Sequence, residues 1–217
     1  MTRQEVQKRI SQIGIVPSIR VESADLAMFA AENVLGGGIP IVEITTTIPS
    51  SDQIIRDLTN NFPSLIVGAE VVAGLDEAQR HLDAGAMFLT GPGLDQGVVG
   101  YCIEQDILVM PGALTPTEIM LAYRMGADFV KVFPCSEVGG SKYIKALKAP
   151  LPHVPLVAAG GVTQSTAAQF IVAGAAALGV GEDLIPRQAL RFREASWIRE
   201  LASRFLTFVR QARAQAS

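Results

Sequence analysis

The sequence predicts a single α/β domain closed into a (β/α)₈ barrel of the TIM type, spanning residues 1–217, and three observations carry that expectation. The chain of 217 residues is 49% hydrophobic and 18% charged, enough apolar material for one sizeable core without disulfides. A glycine that follows a helical pattern and precedes an apolar run recurs at Gly38, Gly85, Gly126 and Gly174. A glycine there ends a helix in a left-handed cap before the chain turns into a strand. The repeats are 47, 41 and 48 residues apart, too long for one strand–helix unit and suited to two.

Taken in order, the strands fall at 13–19, 40–45, 65–69, 87–90, 107–110, 128–133, 154–158 and 176–179. Each is short and almost wholly apolar, as strands buried on both faces of a parallel sheet are. A helix at 24–35 follows the first strand, another starts after Pro49, and the last runs over about 194–214. The segment before Ile13 reads as an extra N-terminal helix covering the bottom of the barrel. An open doubly wound sheet is the alternative; even spacing through to the final helix favours closure. No linker or low-complexity stretch divides the chain.

The charge balance is slightly acidic at −3, which argues against a nucleic-acid binder with a basic patch. Cys102 and Cys135 lack metal-ligand spacing, and His81 and His153 stand far apart, so the usual zinc constellations are absent and no metal is expected. The first residues lack the apolar run of a signal peptide, and no stretch is apolar enough to span a membrane, so a cytoplasmic protein is expected. Cys135 reads as core filler. Lys142, Lys145 and Lys148 read as one solvated helix face.

The chemistry centres on Phe129-Val130-Lys131-Val132-Phe133-Pro134. Strand alternation puts Lys131 on one face with Phe129 and Phe133. Desolvation there favours the neutral amine, the form that attacks a carbonyl to make a Schiff base. The competing reading is a lysine whose head reaches water past the strand end. In such barrels the active site lies at the C-terminal strand ends. Glu43 is on the second strand and alternation points it the way Lys131 points; it moves protons in this reading, and a structural ion pair is the rival reading. Arg20 ends the first strand, where it is placed to hold a substrate carboxylate in two-pronged fashion, or else to make a surface ion pair. Gly160, Gly161, Gly179 and Gly181 follow the last two strands, where barrels often bind phosphate through backbone amides; tight turns are the alternative. Thr47, Glu70, Pro92, Pro111, Phe133 and Glu182, at or beyond other strand ends, complete the expected substrate-binding set.

Six segments together resemble the class I aldolases that cleave 2-keto-3-deoxy-6-phosphogluconate (KDPG) or 4-hydroxy-2-oxoglutarate (KHG). They are Gly14-Ile15-Val16-Pro17-Ser18-Ile19-Arg20, Gly37 to Thr45, Pro111 to Glu118, Val130 to Pro134, Gly139-Gly140 and Gly160-Gly161-Val162. The resemblance covers about Gly14 to Gly181. It implies a (β/α)₈ barrel, a homotrimer, Lys131 as Schiff-base lysine, Glu43 as general acid/base, Arg20 as a substrate ligand, and no metal or organic cofactor. The implied reaction is reversible cleavage of a small 2-oxo acid to pyruvate and an aldehyde.

The chain departs from the family pattern around its substrate cradle. Glu70-Val71 stand where the family carries Gly-Thr, Gly91-Pro92 replace Ser-Pro, Ala158-Ala159 replace Pro-Thr, and Glu182 replaces a serine. Hydroxyl donors are lost and two carboxylates gained, so a substrate altered from the family standard is expected. Two other functions stay open at this point: a barrel that binds a small ligand without turning it over, and a phosphate-binding isomerase or epimerase.

Overall fold

The computed structural model of the protein describes residues 1–216, the backbone alone at residue 216. A nine-stranded parallel sheet wraps round in the order β5-β4-β3-β2-β1-β9-β8-β7-β6. Its strands are β1 (Ile15–Ile19), β2 (Ile41–Thr45), β3 (Ile66–Glu70), β4 (Phe88–Thr90), β5 (Leu108–Met110), β6 (Gly112–Ala113), β7 (Val130–Val132), β8 (Leu156–Ala159) and β9 (Ala177–Val180). The end strands β5 and β6 are consecutive in the chain, interrupted only by Pro111, so the sheet closes into a barrel.

Nine strands therefore stand where eight were expected, because the fifth is divided. Proline has no N–H to give a ladder. Before Pro111 the chain pairs with β4; after it the chain pairs with β7, Gly112 opposite Lys131. The carbonyl of Pro111 still accepts from the Lys131 N–H at 2.9 Å.

The sequence-predicted strand boundaries shift by at most two residues. The third strand extends to Glu70, and the sixth is confined to Val130–Val132, leaving Phe129 and Phe133 just outside it. The four repeated glycines have φ of 95° to 106°, left-handed values that a side chain would strain.

Helices alternate with the strands. The N-terminal helix α1 (Arg3–Ile13) is started by a reciprocal Thr2–Glu5 capping box. It buries Val6 and Ile10 and lies at the N-terminal end of the barrel, where Arg3 bonds Asp128 and the Gly126 carbonyl. The last helix, α10 (Ala195–Ala216), packs on α2 (Ala24–Gly36) and α8 (Ala167–Val172).

Inside the barrel, register neighbours Ser18, Glu43, Gly68 and Phe88 form one layer. A side chain at Gly68 would meet the Phe88 ring at 2.3 Å, so the missing side chain is the space the ring occupies. Phe88 is fully buried and makes an apolar floor beneath the polar groups at the strand ends.

Candidate active site

Lys131 stands at the centre of β7 and reaches into the lumen, with its side chain 6% exposed. Its Nζ donates to Glu70 Oε1 at 2.9 Å, to Glu43 Oε1 at 3.3 Å and to Thr90 Oγ1 at 3.4 Å. Four different strands supply these groups, which is why no single segment of sequence contains the site. Glu43 is held from both sides: its Oε1 accepts from the Ser18 hydroxyl at 2.5 Å, and its Oε2 from the Thr90 hydroxyl at 2.9 Å. Glu70 accepts from Arg20 twice, Nε to Oε2 at 3.0 Å and Nη2 to Oε1 at 2.5 Å.

The peptide around Glu70 is pinned. Thr46 N–H donates to the Glu70 carbonyl at 2.8 Å, and the Thr46 hydroxyl donates to the Val71 carbonyl at 3.2 Å. Val71 has a φ of 69°, a left-handed value for a β-branched residue, and such strain costs of order 1–3 kcal/mol.

These contacts separate the two carboxylates. Burial pushes Glu43 up, Lys131 pulls it down, Glu70 pushes it up again, and the balance is about 7. Burial also raises Glu70, but the Lys131 ammonium and the Arg20 guanidinium outweigh it and bring the carboxyl to about 2. Two acids whose environments drive them apart are the arrangement that lets one titrate near neutrality while the other stays ionised.

The neutral amine expected of Lys131 is not what this environment favours. Burial opposes its charge, yet Glu43 and Glu70 together outweigh burial, and its pKa lies above the usual lysine value. Glu43 is expected on the same face as Lys131, but Glu70 of β3 adds a second carboxylate across the lumen, and the two together outweigh the desolvation that the aromatic neighbours imply. Proton transfer from Lys131 must therefore precede attack on a carbonyl, and Glu43 is within hydrogen-bond distance to take that proton.

A cavity of about 200 Å³ opens above this cluster. Of the residues expected to bind substrate, Arg20, Glu70, Phe133, Gly160, Gly161, Gly179, Gly181 and Glu182 line it with Lys131. Thr47, Pro92 and Pro111 do not: Thr47 is exposed and shares a hydrogen bond with Thr45 at 3.0 Å, and Pro111 faces a separate small hollow with Thr90 and Val98. Glu70 points into the site. Glu182 lies on the exposed rim, where Arg187 Nε is 3.5 Å from its carboxylate. Gly160 and Gly161 have φ of 82° and 80°, and a side chain at Gly161 would meet the Ser136 hydroxyl oxygen at 2.0 Å, so the turn itself requires them. The helices after the last two strands, α8 and α9 (Arg187–Arg191), begin several residues beyond these glycines, so their termini do not abut them.

Ser18 and Thr90, which are not among the expected site residues, belong to the same hydrogen-bonded cluster. Ser18 lies on β1 two residues before Arg20, which follows the strand, and Thr90 ends β4, so the same alternation that points to Glu43 applies to both.

Buried Cys135 and Cys102 have thiols pushed by burial up to about 11 and about 12, which suits core packing. Lys148 departs from the solvated face expected of it, donating to the carbonyls of Pro152 and Val154 at 2.7 and 2.8 Å. Among the described residues, no group of three or more His, Cys, Asp and Glu is arranged to hold a metal, and no helix is long and apolar enough to cross a membrane.

A family model for KDPG and KHG aldolases matches residues 6–201. The chain belongs to this family. The KDPG/KHG aldolase relatives include 2-dehydro-3-deoxy-phosphogluconate aldolase of Treponema pallidum, 26% identical over 92% of this chain and 95% of that one. Another is 2-dehydro-3-deoxy-6-phosphogalactonate aldolase of Escherichia coli K12, 31% identical over 80% of this chain and 85% of that one. Among solved structures, KDPG aldolase of Legionella pneumophila has pyruvate captured as a covalent carbinolamine intermediate. It matches with a TM-score of 0.85 at 26% identity over 91% of this chain and 96% of that one.

Proposed function

We propose that this protein is a class I aldolase that reversibly cleaves a small 2-oxo acid to pyruvate and an aldehyde, with Lys131 as the nucleophile. The observation that carries the reading is the buried Lys131–Glu43 pair at 3.3 Å, at the closed end of a cavity at the C-terminal strand ends. Family membership supports it.

In this reaction Glu43 takes a proton from Lys131, and the freed amine adds to the C2 carbonyl. Glu43 returns its proton to the carbinolamine hydroxyl, which leaves as water, so that the iminium forms and Glu43 is a carboxylate again. Glu43, alone or through a water, removes the proton of the C4 hydroxyl. The C3–C4 bond breaks, the aldehyde leaves, and the bond's electrons pass through C2 to the iminium nitrogen, giving an enamine. Protonation at C3 and hydrolysis then release pyruvate and the amine. Glu70 stays ionised throughout and balances the positive charge, which Lys131 carries first as ammonium and then as iminium. Among the described residues, Arg20 is the other cation lining the cavity, and its Nε–Nη2 edge is held by Glu70.

Borohydride reduction in the presence of pyruvate, followed by peptide mass spectrometry, tests the assignment. The expected product is a reduced adduct on Lys131 that Lys131→Met abolishes. Absence of an adduct with every small 2-oxo acid tried would favour a barrel that binds without turnover. The proposal extends to a homotrimer in the cytoplasm. One matching structure, at a TM-score of 0.85, is a protein cage made by fusing symmetric oligomeric domains, which supports an oligomer. Light scattering coupled to size exclusion would read its mass.

A further inference from the structure

The groups that would receive a substrate carboxylate already hold one. Among the described residues, Arg20 and Lys131 are the cations lining the cavity. A carboxylate is bound best across one edge of a guanidinium, through two parallel N–H donors. Arg20 presents such an edge, Nε with Nη2, and both atoms donate to Glu70. Lys131 makes its shortest hydrogen bond to the same Glu70 oxygen, and the Ser18 hydroxyl lies 3.4 Å from it. Glu70 itself is held by a pinned backbone and its side chain is 2% exposed, so it is a fixed part of the site.

We infer that Glu70 is a tethered stand-in for the carboxylate of a 2-oxo acid, and that by occupying the Arg20 edge above Lys131 it determines which carbonyl compounds the site takes. An incoming carboxylate must either displace Glu70 or share Arg20 with it at close range, and like charges at that range repel. A carbonyl compound with no charge beside its carbonyl carbon meets no such competitor. Protonation does not relieve the block near neutrality, since Glu70 stays ionised down to about 2.

The consequence is a site in which the carboxylate of pyruvate contributes little, and in which the uncharged amide, pyruvamide, reaches Lys131 about as readily as the acid. Removing the charge at position 70 would free the Arg20 edge and restore preference for the acid.

This inference rests on the Schiff-base reading, and the test separates the two. Borohydride trapping on the full chain is measured against concentration for pyruvate and for pyruvamide, in the wild type, Glu70→Gln and Glu70→Thr. The wild type is expected to show half-maximal trapping at similar concentrations of both. In Glu70→Gln the ratio of the pyruvate to the pyruvamide value falls by about tenfold or more, as for a newly satisfied charged hydrogen bond, since losing the counter-charge to Lys131 acts on both compounds alike and cancels in the ratio. Glu70→Thr changes in the same direction, which guards against misfolding of a single variant. If the acid-to-amide ratio is the same in all three proteins, or if Glu70→Gln weakens pyruvate selectively, the inference is overturned and Glu70 is a positioning partner that aims Arg20 at the substrate. If no protein forms any adduct, the Schiff-base reading fails instead. Calorimetric titration of the wild type and Glu70→Gln with pyruvate then still decides the carboxylate seat: tighter binding to Glu70→Gln supports it, equal or weaker binding overturns it.

Discussion

The two ends of the barrel each hold a buried carboxylate against an arginine, and they are built to opposite effect. At the bottom, Arg3 Nε donates to both oxygens of Asp128 at 2.9 and 3.0 Å, and the Val109 N–H donates to Oδ2 at 3.1 Å. Burial raises the Asp128 carboxyl, and Arg3 with the backbone brings it partway back. One acid, one base and a backbone amide satisfy each other, and the result is a clamp that ties α1 to the start of β7. At the top, two acids share one lysine, one of them also held by Arg20. Burial pushes the second acid up, the shared lysine offsets that only in part, and its pKa climbs to about 7. Saturation marks the structural end; a deliberate shortage of counter-charge marks the chemical one.

Four changes break or sharpen that contrast. The largest effect is expected from Lys131→Met, which removes the nucleophile: turnover falls by about four orders of magnitude or more, measured as aldehyde release from a cleavable 2-oxo acid. Glu43→Gln keeps the shape but removes the base, and turnover is expected to drop by about 10²- to 10⁴-fold, with slower adduct formation in rapid-quench trapping.

Next is pH. Turnover should rise with pH through about 7 as Glu43 loses its proton. Stability has the reverse sign for the same group. A carboxyl raised from 4.5 to about 7 contributes stability below 4.5 and loses it progressively as pH rises to about 7. The melting temperature of Glu43→Gln should therefore gain on that of the wild type across this window. Glu70, lowered from 4.5 to about 2, contributes stability above 4.5 that is lost as pH falls toward 2.

The smallest effect on chemistry is expected at the bottom. Arg3→Met should cost about 1–3 kcal/mol of stability in urea denaturation and change turnover by less than about twofold. A large loss of activity there would erase the distinction between the two ends.

Much of this was legible in the sequence. The four glycines fall at left-handed positions because helix termination and strand start are local events. Lys131 and Glu43 were found by period-two alternation, which is also local. What was not legible depended on partners from distant strands. The charge on Lys131 is held against burial by Glu43 of β2 together with Glu70 of β3, 61 residues away, and the division of the fifth strand at Pro111 follows from pairing with two different neighbours. The third strand is expected to stop at Ala69, one residue short of Glu70, but it runs through Glu70, so that Ile66, Gly68 and Glu70 share the inward face. Thr47, Pro92 and Pro111 were chosen for lying near strand ends, and closeness to a strand end does not decide which way a residue faces.

The Phe88 ring lodged over Gly68 gives the lumen a blind end. Among the described residues, Lys131 lines the cavity at the C-terminal strand ends, and the amine is reached through it. The fragment bonded to nitrogen sits deepest, and the fragment nearer the mouth has to clear the passage first. Turnover should thus follow a last-in, first-out sequence: the aldehyde leaves before pyruvate, and product-inhibition patterns that showed random departure would mean the passage has a second opening.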